Sequence, residues 1–156
     1  MTVWKIPPII KVYEALGCIA DGRVELDGNT AKVFSSSRGK FYTVTYDPEK
    51  NAIMANDNGS YWQGYLGYPA IASLMEKGII PYDRRIAGAL AGIAWKDINT
   101  KLKNDYAKTS AVVMERAQKR GVPATEVEKE GERILEAIVK LAVVELGSRI
   151  KPPTGY

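Results

Sequence analysis

The chain has 156 residues, of which 46% are hydrophobic and 26% charged, as in soluble globular proteins and unlike disordered ones. It contains no histidine and one cysteine. Because histidine is the commonest metal ligand and general base near neutral pH, its absence excludes most hydrolytic triads, zinc sites and pH switches. We therefore expect a protein that is not an enzyme and needs no metal or cofactor.

The single cysteine, Cys18, cannot form an intramolecular disulfide, and its apolar helical surroundings predict a buried, unreactive thiol. No apolar run reaches the roughly 18 residues needed to span a bilayer, and the first ten residues lack the pattern of a secretory signal. These features predict a cytoplasmic protein that does not bind membranes.

The net charge of +4 is concentrated in the middle of the chain. Residues 1–81 contain eight basic and eight acidic groups, residues 82–120 nine and four, and residues 121–156 five and six. This excess suits a polyanionic partner, although solvated lysines on a helix explain it about equally well.

Ile9, Val12, Tyr13 and Leu16 follow helical spacing and predict a first helix that ends near Ala20. Four strand-like runs come next and predict an antiparallel β-meander; they lie at residues 23–27, 30–36, 41–46 and 51–55. Strand alternation places Val33, Val44 and Ile53 toward the core. The opposite face then carries Lys32, Phe34 and Phe41.

Residues 56–75, NDNGSYWQGYLGYPAIASLM, contain four large aromatic residues within eight positions, namely Tyr61, Trp62, Tyr65 and Tyr68. Two roles fit this segment. Trp and Tyr commonly fill gaps beneath loops, but four rings in eight residues exceed what one small loop usually buries. The segment is therefore also a candidate wall of a cleft that holds flat ligands.

Pro69 and Gly78 bound a short predicted helix, and a long helix is predicted from Trp95 until Gly121 and Pro123 interrupt it. A second long helix of about 25 residues follows a capping box at Thr125. The two predict an antiparallel, coiled-coil-like hairpin. The predicted fold class is α+β, with an α/β body at residues 1–94, the helical hairpin at residues 95–151 and a tail at residues 152–156.

The second long helix is apolar on more than one side between Ile134 and Leu146, more than one partner helix can cover. Either the body or a second subunit covers the remainder, and we favour a homodimer or higher oligomer. The residues predicted to form this interface are Leu102, Tyr106, Val113, Ile134, Leu135, Ile138, Leu141 and Val144.

No Gly-rich phosphate loop is present, and the paired carboxylates occur in a turn and at a helix start. The remaining candidate binding residues are aromatic rings beside cations. This combination is typical of sequence-tolerant binders of single-stranded nucleic acid. The candidate residues are Lys32, Phe34, Arg38, Lys40, Phe41, Tyr61, Trp62, Tyr65, Tyr68, Arg84, Arg85, Lys96 and Lys103.

Residues 65–109, YLGYPAIASLMEKGIIPYDRRIAGALAGIAWKDINTKLKNDYAKT, together with the strands before and the helices after them, resemble the ThermoDBP group of archaeal single-stranded DNA-binding proteins. The resemblance covers most of the chain by layout. It implies a thermophilic protein with an apolar cleft flanked by basic residues that takes single-stranded DNA, and C-terminal helices that oligomerise. Residues 1–81 are less basic than this implies, so RNA remains an alternative ligand. A non-enzymatic oligomeric adaptor is the alternative function.

Overall fold

Helix α1 (Ile9–Ala20) lies at the centre of the fold in the computed structural model, which describes residues 1–154. Pro8 precedes it, and eight of its twelve residues are buried against α2, α3 and α6. Its bounds confirm the prediction from apolar spacing. Cys18 is fully buried, and burial raises the pKa of its thiol to about 12, which confirms the predicted structural role.

The remaining elements follow in chain order, and α2 packs against one face of the sheet. Their bounds are β1 (Val24–Asp27), β2 (Thr30–Phe34), β3 (Phe41–Asp47), β4 (Ala52–Ala55), a π-helical turn (Gly59–Gln63), α2 (Tyr68–Glu76), α3 (Arg84–Ala89), α4 (Trp95–Lys101), α5 (Tyr106–Lys119), α6 (Ala124–Leu141) and β5 (Val144–Glu145).

The structure is α+β, but its sheet is mixed, which corrects the predicted purely antiparallel meander. The strand order is β1-β2-β3-β4-β5; the first three pairings are antiparallel and β5 is parallel to β4. Ala142 has a φ of 47° and ends α6, so the chain turns toward β4. There the Val144 N–H donates to Asn51 O at 3.0 Å. Val144 therefore lies in a strand, outside the second long helix to which it was assigned.

The alternation predicted for the strands is confirmed. Val33, Val44 and Ile53 are at most 2% exposed, on the face that the helices cover. Phe41, on the other face, is 43% exposed. Neighbouring residues of β3 thus present their side chains to two separate environments.

The long helix predicted from Trp95 is two helices, because Lys103 and Asn104 have φ values of 53° and 59°. Asp105 then caps α5 by accepting a hydrogen bond from the Lys108 N–H at 3.3 Å. Helix α6 has 18 residues, fewer than the predicted 25, and no side chain caps its first turn. The capping box predicted at Thr125 is therefore wrong.

Most apolar residues of α6 pack within the same chain, against α1, α3 and α5, whereas Val139 is 56% exposed. Val113, Ile134 and Ile138, three residues of the predicted oligomer interface, are at most 3% exposed. The other five, all partly exposed, are Leu102, Tyr106, Leu135, Leu141 and Val144. One hydrophobic core extends from Trp4 to Val143 and so crosses the predicted boundary between residues 94 and 95. Of the predicted tail, residues 155 and 156 lie outside the described residues.

The close contact between α1 and α6 depends on Gly131. A Cβ at this position would lie 2.7 Å from Tyr13 Cε1 and 3.0 Å from Ile9 Cδ1. We predict that Gly131→Ala lowers the free energy of unfolding by about 1–3 kcal/mol, because overpacking outweighs the better helix propensity of Ala. Chemical denaturation monitored by circular dichroism measures the change.

Gly88→Ala is the matched control, because Gly88 is also helical and a Cβ there would meet no atom within 4 Å. Ala should raise stability at this position by up to about 1 kcal/mol. Equal effects of the two substitutions would contradict the packing assigned to Gly131.

Candidate functional site

A cleft of about 880 Å³ opens between α1, the β2–β3 connection, the π-helical turn, α4 and the start of α5. Its volume is in the upper part of the range of about 300–1,000 Å³ that is usual for ligand sites. Six aromatic residues line it: Tyr42, Trp62, Tyr65, Tyr68, Trp95 and Tyr106. The cleft therefore offers flat apolar surfaces from five separate parts of the chain.

The charged side chains that line the cleft are predominantly cationic. Among residues 1–154 they are Lys11, Glu14, Arg23, Lys40 and Lys96, so four cations face one carboxylate and the net formal charge is +3. Low-dielectric walls concentrate the electric field of such charges inside a cleft. Its electrostatics consequently favour an anionic ligand.

Arg23 lies in the floor of the cleft and is only 2% exposed. Its Nη1 donates to Phe34 O at 2.9 Å, and its Nε lies 3.6 Å from Asp21 Oδ2. The guanidinium carbon is 6.0 Å from the centre of the Tyr68 ring. The guanidinium group of Arg23 is thus a buried cation, held by one hydrogen bond to Phe34 and a longer ionic contact to Asp21.

Three buried side-chain nitrogens in residues 1–154 lack a hydrogen-bond acceptor, and all three belong to residues that line the cleft. They are Arg23 Nε, Arg23 Nη2 and Trp95 Nε1. Burying a polar donor without a partner costs about 1–3 kcal/mol, and more for a charged group. A surplus of donors, like the surplus of cations, suits a ligand rich in acceptors.

The connection between β2 and β3 makes hydrogen bonds with three cationic residues that line the cleft. Arg23 bonds to Phe34 at the end of β2, and the Ser35 N–H donates to Lys40 O at 3.0 Å. The Lys96 N–H, in the first turn of α4, donates to Ser36 Oγ at 3.1 Å. We call Arg23, Lys40 and Lys96 the basic cluster. Arg23 precedes β1, Lys40 is the last residue of the connection and Lys96 is in α4, so hydrogen bonds with one short connection join three parts of the chain.

Lys11, the fourth cation, is neutralised locally. Its Nζ lies 3.3 Å from Glu14 Oε1 and 5.1 Å from the centre of the Tyr106 ring. Burial alone lowers the pKa of Lys11, but Glu14 and the nearby phenols raise it above its ordinary value. Asn99 Nδ2 also donates to Glu14 Oε1 at 3.1 Å. Lys11 therefore contributes little to the attraction of an anion.

Tyr65 and Tyr68 carry neutral phenols at pH 7. Burial raises the pKa of Tyr65 to about 12, and burial raises the pKa of Tyr68 well above its usual value. The Tyr68 ring packs edge-on against Tyr42, with centroids 6.2 Å apart. These rings can present faces and O–H donors to a ligand without adding negative charge.

Asp57 holds the π-helical turn that displays Trp62. Its carboxylate accepts from the Ser60 O–H at 2.6 Å and from the Ser60 N–H at 3.2 Å, and burial raises its pKa. Gly67 leaves room for this carboxylate, since a Cβ there would be 2.0 Å from Asp57 Oδ2. Trp62 itself is 62% exposed and stands edge-on to Tyr61 at 4.7 Å. It is an exposed ring at the rim of the cleft.

Five predicted site residues line the cleft: Lys40, Trp62, Tyr65, Tyr68 and Lys96. Three others, Lys32, Phe34 and Phe41, form a second surface on the outer face of the sheet. The Lys32 Nζ lies 5.1 Å from the centre of the Phe41 ring, and the two Phe rings are 5.9 Å apart. The structure thus divides the predicted rings between the cleft and the outer face of the sheet. Phe41 points to the face of β3 opposite to Tyr42, which lines the cleft.

The remaining predicted residues do not line the cleft; they are Arg38, Tyr61, Arg84, Arg85 and Lys103. Arg38 donates to Asp21 O at 2.9 Å. Arg85 forms an ion pair with Glu126, which ties α3 to α6. Arg84 and Lys103 are exposed at the start of α3 and between α4 and α5.

Sequence reasoning missed several residues of the cleft, and Arg23 is the most important. A basic residue after a Gly turn and before a strand is usually exposed, so its pattern carried no signal of burial. Tyr42 and Trp95 also line the cleft and were not among the predicted site residues. Tyr106 was assigned to the oligomer interface, and the structure places it at the cleft.

Within residues 1–154 no group of three or more Cys, Asp and Glu residues is placed to hold a metal ion. None of the helices in this part of the chain is long and apolar enough to cross a membrane.

Residues 4–144 match the family described as Uncharacterised conserved protein UCP014422. The chain belongs to this family. The matched range contains every residue that lines the cleft, from Pro8 to Tyr106. No curated protein and no solved structure matches the chain.

The Lys11–Glu14 pair yields a test of the electrostatics inside the cleft. Side-chain exposures are only 15% for Lys11 and 5% for Glu14. We predict that Lys11→Met lowers the free energy of unfolding by about 3 kcal/mol, because it leaves a buried carboxylate without its cation. Denaturant unfolding of the single and double variants measures the coupling.

The double variant Lys11→Met with Glu14→Gln should recover most of that stability, since neither charge then remains buried. If the double variant lost as much stability as the two single variants together, the pairing of Lys11 with Glu14 would be contradicted.

Proposed function

We propose that the protein is a sequence-tolerant binder of single-stranded DNA, whose bases stack in the cleft while the basic cluster contacts phosphates. The observation that supports this most is that six aromatic residues and a net formal charge of +3 line the same cleft. Single-strand binders combine these two features, and each stacked base contributes about 1–3 kcal/mol. The resemblance to the ThermoDBP group agrees with the proposal.

A single strand fits this cleft better than a duplex does. The bases of a duplex stack on one another, so their faces are not available to Trp62 or Tyr65. A single strand can turn its bases outward against the rings. No arginine or lysine in the cleft needs to read a base edge for this mode of binding, and we therefore expect little sequence preference.

The outer face of the sheet is the alternative surface. Its exposed ring, Phe41, lies beside Lys32, so it also pairs an aromatic with a cation. However, it offers two rings and one nearby lysine, whereas the cleft offers six rings and four cations. We assign primary binding to the cleft and a secondary contact to the outer face. RNA is an alternative ligand of the same cleft.

Oligomerisation through the C-terminal helices is part of the proposal. Val3, Ile6 and Val139 are each about half exposed or more, and they border an apolar recess of about 270 Å³ beside α6. A second copy packed there would cover these side chains. Two linked clefts would raise the apparent affinity for one strand through effective concentration. We also propose that the protein is cytoplasmic, where it would meet nucleic acid.

Binding should be weakened by salt and by loss of the rim aromatic. In polarisation titrations with labelled single-stranded DNA, we predict that Trp62→Ala reduces affinity about tenfold, since one stacked base is lost. Lys40→Ala should lower affinity and reduce the salt slope by about 0.7, the value for one phosphate contact. Titrations at two salt concentrations measure both effects.

Arg84→Ala is the control, because Arg84 is an exposed cation that does not line the cleft. Its affinity and salt slope should equal those of the wild type. If Arg84→Ala and Lys40→Ala behave alike, the cleft is not the phosphate-binding surface. Equal affinity for duplex DNA, or no binding at low salt, would overturn the proposed function and favour an adaptor.

A further inference from the structure

We propose that Arg149 is a positioning residue for Trp62, so that the segment after β5 controls how tightly the cleft holds a base. This role rests on the proposed function, because Trp62 is assigned there to a stacked base. Arg149 does not line the cleft, and it lies beyond residues 4–144, the range that matches the family. Its contacts nevertheless reach the π-helical turn that carries Trp62.

The π-helical turn leaves one carbonyl oxygen for a side chain to bind. In a π-helix each carbonyl accepts a hydrogen bond from the N–H five residues later. For Tyr61 O that donor would be the Leu66 N–H, but this group donates to Lys5 O at 3.1 Å. Arg149 Nη1 donates to Tyr61 O instead, at 3.4 Å. The carbonyl that Arg149 binds belongs to the peptide bond directly before Trp62.

The guanidinium of Arg149 also packs against the end of the turn. Gly64 ends it with a φ of 73°, and a Cβ at this position would lie 2.8 Å from Arg149 Nη2. The guanidinium carbon is 5.7 Å from the centre of the Trp4 ring. Trp4 is only 4% exposed, and its Nε1 donates to Ile53 O at 2.9 Å. Arg149 thus joins the turn to a buried ring of the N-terminal segment.

Glu145 holds Arg149 in this place. Arg149 Nε donates to Glu145 Oε1 at 2.8 Å, and Arg149 Nη2 donates to Glu145 Oε2 at 3.4 Å. Such a two-point contact fixes the orientation of a guanidinium as well as its position. Glu145 belongs to β5, and its main-chain N–H donates to Thr2 O at 2.8 Å. The sheet therefore fixes the carboxylate, the carboxylate fixes Arg149, and Arg149 fixes the peptide before Trp62.

A direct contact between Arg149 and a phosphate is the alternative role for this cation. However, Nε, Nη1 and Nη2 each already donate to an acceptor within the protein. The Glu145 carboxylate also offsets the charge of Arg149 at close range. The contacts therefore favour a role through geometry over a role through charge.

Polarisation titrations of Arg149→Lys with a labelled oligothymidylate, at two salt concentrations, test this role. Lysine keeps the charge but lacks the planar fork that bonds Glu145 and Tyr61 together. We expect affinity to fall about fivefold, because part of the energy of one stacked base is lost. The salt slope should equal that of the wild type, because no phosphate contact is removed.

Arg133→Lys is the matched control. Arg133 likewise bonds a glutamate and a carbonyl oxygen, those of Glu130 and Pro81, but it does not line the cleft. Its replacement should leave the affinity for the strand unchanged. An equal loss of affinity in the two lysine variants would show a general effect of arginine loss and overturn the positioning role.

A double-mutant cycle shows whether Arg149 acts through Trp62. In the Trp62→Ala background, Arg149→Lys should leave the affinity unchanged, because the ring that it positions is already absent. Glu145→Gln weakens the anchor of Arg149 and should lower affinity in the same direction. This variant provides the test if Arg149→Lys does not fold.

Three results overturn the positioning role and leave the proposed function intact. They are a wild-type affinity in Arg149→Lys, a salt slope that falls by about 0.7 in this variant, and an equal loss of affinity with and without Trp62. If the wild-type protein binds no strand at low salt, the proposed function and the positioning role are both overturned.

Discussion

The hydrogen bond from Arg23 to the carbonyl of Phe34 is the interaction on which the arrangement of the cleft most depends. It fastens the residue before β1 to the end of β2, where the Phe34 N–H also donates to Arg23 O at 2.9 Å. The same strand end anchors Lys40 and Lys96 through Ser35 and Ser36. A buried arginine thus shapes the backbone of the connection and supplies charge to the floor beneath it.

Helix α1 forms the other side of the site and links it to the core. Its apolar residues pack against α2, α3 and α6, while Lys11 and Glu14 face the cleft as a nearly buried pair. Glu14 also receives a hydrogen bond from Asn99 on α4, and Asn99 in turn accepts from Thr109 on α5 at 3.1 Å. One polar network therefore fixes three helices around the opening. The position of the aromatic rings depends on the same packing that stabilises the fold.

Local sequence patterns were sufficient to predict some helices and the burial of some residues. The bounds of α1 followed from apolar spacing, and the burial of Val33 and Val44 followed from strand alternation. The exposure of Trp62 could be anticipated from the crowding of rings in one short loop. Each of these features depends mainly on neighbours in sequence, which is why the sequence contains enough information to predict it.

Features that depend on distant contacts could not be predicted in the same way. Strand β5 has two residues and exists because Val144 pairs with β4, about ninety positions earlier. The break between α4 and α5 requires left-handed backbone at Lys103 and Asn104, which no Gly marks. Arg23 is buried only because Phe34, Asp21 and Tyr68 surround it. The division of the aromatics between cleft and outer face likewise appears only once the sheet has one covered side.

Ultraviolet cross-linking of the protein to a single-stranded oligothymidylate, followed by mass spectrometry of the peptides, locates the binding surface directly. Binding in the cleft predicts adducts at Trp62 or Tyr65, and their loss when an unlabelled strand competes. Adducts confined to Phe34 and Phe41 on the outer face of the sheet, with none in the cleft, would contradict it.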